Sequence, residues 1–266
     1  MQTFGMLALK PEGIELDFAA TAQWILNFFA GLSLEQAAFY LLIQNILQYV
    51  LCLAAGHLLI MMFSSRRIAP APAPLEQKEI WLSISCIFLN TAVAVIGFQL
   101  WKAGIIVIHT SSNALSVVTD VMCLLLLMDL LMYLTHRICH IPFIYPWVHK
   151  THHLYDNPRP LSLFVLNPLE VFGFGFLWLA VIAFYHSSWL GIVIYLLMNA
   201  TWGTLGHLGV EPMPDYWTRI PVLGRLTTSR FHAEHHQLKE KNYGFYTDVW
   251  DSLFKSISEG YRKQGK

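Results

Sequence analysis

At 266 residues, the chain is 55% hydrophobic and only 13% charged, where a soluble domain carries about 25% charged residues. That shortfall argues against a water-soluble globule, and 17 Lys and Arg balanced by 17 Asp and Glu leave no basic field for nucleic acid. The four cysteines (Cys52, Cys86, Cys123, Cys139) lie in or beside apolar runs without a C-x-x-C pair, so they read as reduced packing residues.

The N-terminus shows no basic stretch leading into a short apolar core and a small-residue cleavage site, which argues against a removable signal peptide. Residues 14–31 are apolar but short and acid-flanked, as in a helix lying at the membrane surface. Longer apolar runs follow at 34–63, 80–108, 114–135, 162–185 and 189–206, each long enough to cross a bilayer, which needs about 20 residues of helix. "SSRRIAPAPAPLEQKE" separates the first two; its alternating prolines cannot continue a helix and make a stiff, extended connector. Only "HTSSN" joins the second run to the third, and only "HSS" joins the fourth to the fifth, so each pair forms a helical hairpin. Placing 64–79, 136–160 and everything after His207 on one side gives that side every Lys and Arg except Lys10 and Lys102. By the positive-inside rule that side is cytoplasmic. The expected fold is all-α: a polytopic membrane protein with an N-terminal span, two transmembrane helical hairpins and a cytoplasmic helical cap.

Histidine occurs 12 times, and half of these fall in two words, "HKTHH" (149–153) and "HAEHH" (232–236). His136, His140, His149, His152, His153, His207, His232, His235 and His236 all belong to the cytoplasmic side, at or beyond helix ends. His109 and His186 lie in the opposite turns, and His57 lies inside the first span as a packed residue. "HRICH" puts His136 and His140 on one helical face, and each five-residue word puts its imidazoles at i, i+3 and i+4. Neutral imidazole is a strong ligand for iron, copper, nickel or zinc. Nine exceed what one ion holds, whereas two ions sharing four or five each fit the count. Structural zinc usually includes cysteine among its ligands, and here the cysteines stand apart. Soluble di-iron bundles use E-x-x-H with bridging carboxylates, which this chain lacks beside its histidines. A nitrogen-rich site at the membrane surface suits iron activating O2 for an apolar substrate arriving from lipid.

"DLLMYLTHRICH" (129–140), "WVHKTHH" (147–153), "LGHLGVEPMP" (205–214), "FHAEHH" (231–236) and "KNYGFYTDVWDSLF" (241–254) together resemble the fatty acid hydroxylase superfamily, also called the sterol desaturase family. The C-terminal motifs look closest to its methylsterol-oxidase branch, with two departures. Asn167 opens "NPLE" where that branch tends to have His-Pro-x-Glu, and Lys255-Ser256 stand where it usually has Gly-Thr. The resemblance implies that residues 80–256 form the catalytic domain, between an N-terminal segment with its connector (1–79) and a polar tail (257–266). It implies that the nine histidines hold two irons, with O2 as co-substrate, and that the protein hydroxylates or desaturates a lipid: sterol, fatty acyl or alkyl. No flavin, nicotinamide or haem-holding segment is present, so electrons would come from a separate ferredoxin, cytochrome or reductase. Arg219, Arg225, Arg230, Lys239 and Lys241 would face either that donor or anionic headgroups. The host membrane would be a bacterial inner membrane or the endoplasmic reticulum.

Around the ligands, Asp129, Tyr133, His136 and His140 share one helix stripe, so Asp129 is expected to accept a hydrogen bond from an imidazole and fix its tautomer. Asn242, Tyr243 and Asp251 are expected to shape the loop behind the last histidine word. Asp120 and Glu170 are open between lining a substrate channel and packing helices. Arg137 snorkels to headgroups or pairs with an acid. Trp147, Trp202, Trp217 and Trp250 read as interface anchors. The competing function is a histidine-rich membrane protein that binds or transports metal. Transport sites normally lie near the bilayer midplane, however, and these histidines lie outside the spans.

Overall fold

The computed structural model describes residues 18–264 apart from 111, 112 and 156, and side chains only through Tyr261. Lys10, the start of the 14–31 stretch and the end of the 257–266 tail lie outside the described residues. The helices are α1 (Phe18–Ala30), α2 (Leu34–Met62), α3 (Gln77–Lys102), α4 (Ala114–Cys139), α5 (Tyr145–Val148), α6 (Pro168–Phe184), α7 (Trp189–Gly206), α8 (Ser229–Gln237), α9 (Val249–Leu253) and α10 (Glu259–Gln264). Helices α2, α3, α4 and α7 are long and apolar enough to cross a membrane, yet only 11–28% of their apolar windows is buried. Leu47, Leu51, Met61, Trp81, Phe88 and Leu126 are all more than half exposed. A soluble core would hide such residues; helices turning them outward are solvated by lipid. The chain is built as an integral membrane protein.

Helices α2, α4, α6 and α7 each start where a polar side chain satisfies free N–H groups. Ser33 Oγ accepts from Gln36 N while Ser33 N donates to the Gln36 side chain, a reciprocal cap on α2. Asn113 caps α4, Asn167 caps α6 and Ser188 caps α7 through their side-chain oxygens. Asn167 also revises the fourth apolar run. Residues 160–164 form a 3-10 turn, and helix begins only at Pro168, whose ring suits a first position and not an interior one. The resulting α6 has 17 residues, about 25 Å of rise, where a span needs about 30 Å.

Helix α2 packs on α3 and α7, α3 on α6, and α4 on α6 and α7. Two glycines bring α3 and α6 close. A Cβ on Gly175 would stand 2.7 Å from Val93 Cγ2, and one on Gly97 would stand 2.8 Å from Leu179 Cδ2. His57 departs from expectation: it is exposed on α2, because its neighbour Gly56 takes the inner face, where a Cβ would meet Pro160 at 2.7 Å. At one end, the outer turns form a two-residue parallel pair, β1 (Ile108–His109) with β2 (Ser187–Ser188). Asp120 secures that end by accepting from Tyr185 Oη and Ser188 N, which settles it as a packing residue. At the other end the Pro-rich connector returns across the molecule: Ile68 N donates to Gly209 O and Arg66 pairs with Asp215. All the extramembrane segments that carry the nine histidines meet at this end.

Gly175→Ala should lower the thermal midpoint in detergent by the equivalent of about 1–3 kcal/mol, the usual cost of overpacking. Adding Val93→Ala should recover most of it; a double variant as unstable as the single one would show the contact to be unimportant.

Candidate metal centre

The nine imidazoles reach one place from four segments. The last turn of α4 supplies His136 and His140; the loop after α5 supplies His149, His152 and His153; the end of α7 supplies His207; α8 supplies His232, His235 and His236. They sort into two groups, His136, His140, His149, His153 and His235, and His152, His207, His232 and His236. Within each group one ring nitrogen per residue lies within 4.8 Å of the others. The two groups adjoin: the His152 and His153 rings are 5.8 Å apart, and His153 and His236 4.8 Å.

Hydrogen bonds decide which nitrogen faces inward. His136 Nδ1 lies 2.8 Å from Tyr243 O, His235 Nδ1 2.6 Å from Lys241 O, and His207 Nδ1 2.7 Å from Gly203 O. A carbonyl only accepts, so each Nδ1 carries the proton and each Nε2 keeps a bare lone pair. His149 Nδ1 donates to Glu170 Oε1 at 2.6 Å, with both side chains buried. His136 Nε2 and His149 Nε2 then face each other at 2.9 Å, lone pair against lone pair. Nε2 atoms also approach closely between His153 and His235 at 3.1 Å and between His207 and His232 at 3.3 Å, where His235 and His207 bring the bare lone pair. Nitrogens about 2.1 Å from one ion and at right angles around it lie about 3 Å apart, so the donor set fits a cation in each group. His140 Nε2, His152 Nδ1, His153 Nδ1 and His236 Nδ1 are buried and unpartnered, which leaves both groups short of protein hydrogen bonds.

Burial holds these imidazoles neutral. It pushes His149, His152, His235 and His236 well below the ordinary value of 6.5, with neighbouring imidazoles adding to the effect. It takes His207 down to about 4 and His153 to about 3. A neutral imidazole is the form that binds metal.

The scaffold behind the rings corrects one expectation. Asp129 touches no imidazole: its carboxylate accepts from Tyr246 N, Thr247 N, Thr247 Oγ1 and Trp250 Nε1. It pins the 243–250 loop to α4, and that loop supplies the carbonyl for His136. Trp250 is likewise turned inward, and the Trp202 and Trp217 indole nitrogens are buried, while Trp147 is 71% exposed as an anchor would be. Tyr133 also misses the rings; its hydroxyl meets Ser256 Oγ and accepts from Arg137.

The "NYG" word serves the same loop. Asn242 adopts φ 59°, a left-handed conformation that asparagine tolerates, and bonds Phe231 O and Ser258 N. Gly244 has no room for a side chain, since a Cβ would lie 2.2 Å from Thr247 O. Asp251 accepts from Tyr243 N and Gly244 N and from Ser256 Oγ. Lys255 takes φ 59° where the resembled branch has glycine, and Ser256 keeps the hydroxyl that threonine would offer. Glu170 is the residue that sequence reasoning underrated; its signal was an acid one turn into an apolar helix beside "NP".

The fatty acid hydroxylase family model matches residues 121–256. Among curated proteins, the chain is 29% identical to rat lathosterol oxidase (Rattus norvegicus) over 56% of its own length and 48% of the relative's. It is 28% identical to a Delta(7)-sterol 5(6)-desaturase of Leptosphaeria maculans, over 47% and 33% of the two lengths. With a cholesterol 25-hydroxylase-like protein of Danio rerio it shares 28% identity over 54% and 58%. The chain thus spans about half or less of the length of the first curated relatives it matches. These likenesses carry the superfamily and not the methylsterol-oxidase branch. No solved structure matches.

The neutral imidazoles also set a pH dependence. Below pH 6.5 the unfolded chain takes up protons that the folded one refuses, so folding stability falls as pH drops from 6.5 toward about 4. Thermal unfolding of the metal-free protein in detergent should show that decline, and a flat midpoint across the window would contradict it.

Proposed function

This chain belongs to the fatty acid hydroxylase family, and on that premise we propose that it is a membrane-bound di-iron oxygenase acting on an unactivated C–H bond of a lipid. The nine histidines are its ligands: His136, His140, His149, His153 and His235 for one ion, His152, His207, His232 and His236 for the other. The observation that carries the reading is the facing of bare Nε2 lone pairs, as between His136 and His149 at 2.9 Å. The relatives' names, oxidase, desaturase and hydroxylase of sterols, support hydroxylation or desaturation of a sterol, acyl or alkyl lipid.

Iron held here supplies the O2 chemistry that imidazole lacks. The chain's own contribution is positional. Tyr243 O, Lys241 O, Gly203 O and Glu170 each hold one Nδ1 proton, which fixes four rings before any ion arrives. Burial keeps water from the reacting region, and the apolar helices bring a lipid substrate within reach. Electrons come from a separate donor. Exposed Arg219 and Lys239 on the same end of the molecule offer it a basic face, whereas Arg225 is paired with Asp248, and on the positive-inside reasoning that end is cytoplasmic. Residues 80–256 form the catalytic unit.

Purified protein should contain about two irons per chain, as its two groups of ligands require. His152→Ala and His235→Ala should each lose metal, and full occupancy in both would overturn the reading. Glu170→Leu should weaken iron retention about 10- to 100-fold, while Glu170→Gln, which still accepts from His149, should lose less. Competition with an Fe(II) chelator measures both.

A further inference from the structure

Beside the centre lies a groove of about 330 Å³, open to the surroundings and lined by Leu134, Arg137, Ile138, His140, Ile141 and Tyr243. That volume is in the range of small-molecule sites. Its apolar wall continues a stripe along α4. Leu115, Val118, Met122, Leu126, Leu134 and Ile138 are all exposed, an apolar band that winds gradually around α4 along its length. The stripe therefore runs the length of the helix and ends at the groove. There the wall includes His140, a member of the first imidazole group whose Nε2 has no partner. A second crevice touching the centre, between α7 and Phe245, holds only about 20 Å³, room for one water and not for a lipid.

The groove has one cation. Arg137 is exposed, donates from Nη1 to Tyr133 Oη at 3.0 Å, and lies over the Phe254 ring at 5.9 Å. Those contacts hold the guanidinium in place and leave most of its five donors for a ligand. Arg137 and His140 are three residues apart on one helical turn, so their Cβ atoms are about 5–6 Å apart.

We infer that this groove is the lipid substrate's docking site, and that it takes an amphiphile whose carboxylate head accepts from the Arg137 guanidinium. The inference rests on the di-iron reading and deepens it. The apolar body lies along the α4 stripe, and the head sits one turn from His140. The carbons presented to the centre are accordingly those within a few bonds of the polar end, and mid-chain positions stay in the bilayer. Arg137 is a binding residue in this scheme and Ile138 a gatekeeper of shape.

The test uses the full-length, iron-loaded protein in lipid nanodiscs. A fatty acid and a sterol, each carrying a diazirine near its polar end, are photolysed in turn and the labelled peptides mapped. Labelling should concentrate on 134–141 and Tyr243 and be stronger with the fatty acid; stronger labelling by the sterol would overturn the carboxylate assignment. Arg137→Gln should reduce fatty acid labelling about tenfold, the usual effect of losing a charged hydrogen bond. Arg137→Lys should restore part of it, and Ile138→Trp should block it by filling the groove. Iron content should be unchanged in all three variants, which separates failure of docking from failure of the metal reading. Labelling spread evenly over α2 and α3, centred on Trp202 and Phe245, or indifferent to Arg137→Gln and Ile138→Trp would overturn the assignment.

Discussion

Bare nitrogen lone pairs in a buried, crowded volume repel one another, and the histidine-bearing end of this molecule is arranged around that repulsion. Imidazole offers one donor and one acceptor when neutral. Here the donors of His136, His149, His207 and His235 are turned outward to protein oxygens, so the acceptors must converge. Without cations between them such a cluster is a cost in folding; with cations it is a joint that ties α4, the 149–153 loop, α7 and α8 together. The site and the fold of the cap are therefore one structural problem.

The supporting shell solves that problem mostly with backbone. Three of the four outward donors end on carbonyl groups: Gly203 O belongs to α7 itself, while the loop that carries Lys241 O and Tyr243 O is fixed by side chains that hydrogen-bond no histidine. Asp129 and Asp251 act in this way: one anchors residues 246–250 to α4 and the other gathers Tyr243 N and Gly244 N. A polar residue two contacts from the metal region can thus matter to it through geometry alone, as the placement of Asn242 also illustrates.

Much of this was legible in the sequence. Apolar run lengths gave α2 and α7 nearly to the residue, and histidine spacing singled out the nine imidazoles that the fold brings together. The division of the histidines between two groups was not legible, because it interleaves: His152 and His153 are adjacent in sequence and belong to different groups. That split depends on a 3-10 turn at 152–154 that points neighbouring rings apart. The role of Asp129 was misjudged for a related reason. A shared helix stripe places residues on one face but does not say what packs against it, and there the loop after Gly244 arrives first. His57 escaped because a glycine beside it claimed the inner face.

The short α6 has a further consequence for the surrounding bilayer. A 17-residue helix, capped firmly by Asn167, cannot lengthen to match a thick membrane, so the hydrocarbon beside it must thin or the neighbouring headgroups must dip. Glu170 lies in its first turn, directly against His149, so the dip occurs where the imidazoles are. Mismatch energies are modest, fractions of a kcal/mol per Å, yet they favour hosts of matching thickness. Sterol content thickens membranes, which makes the lipid composition around this protein a mechanical load on the very helix that braces its centre.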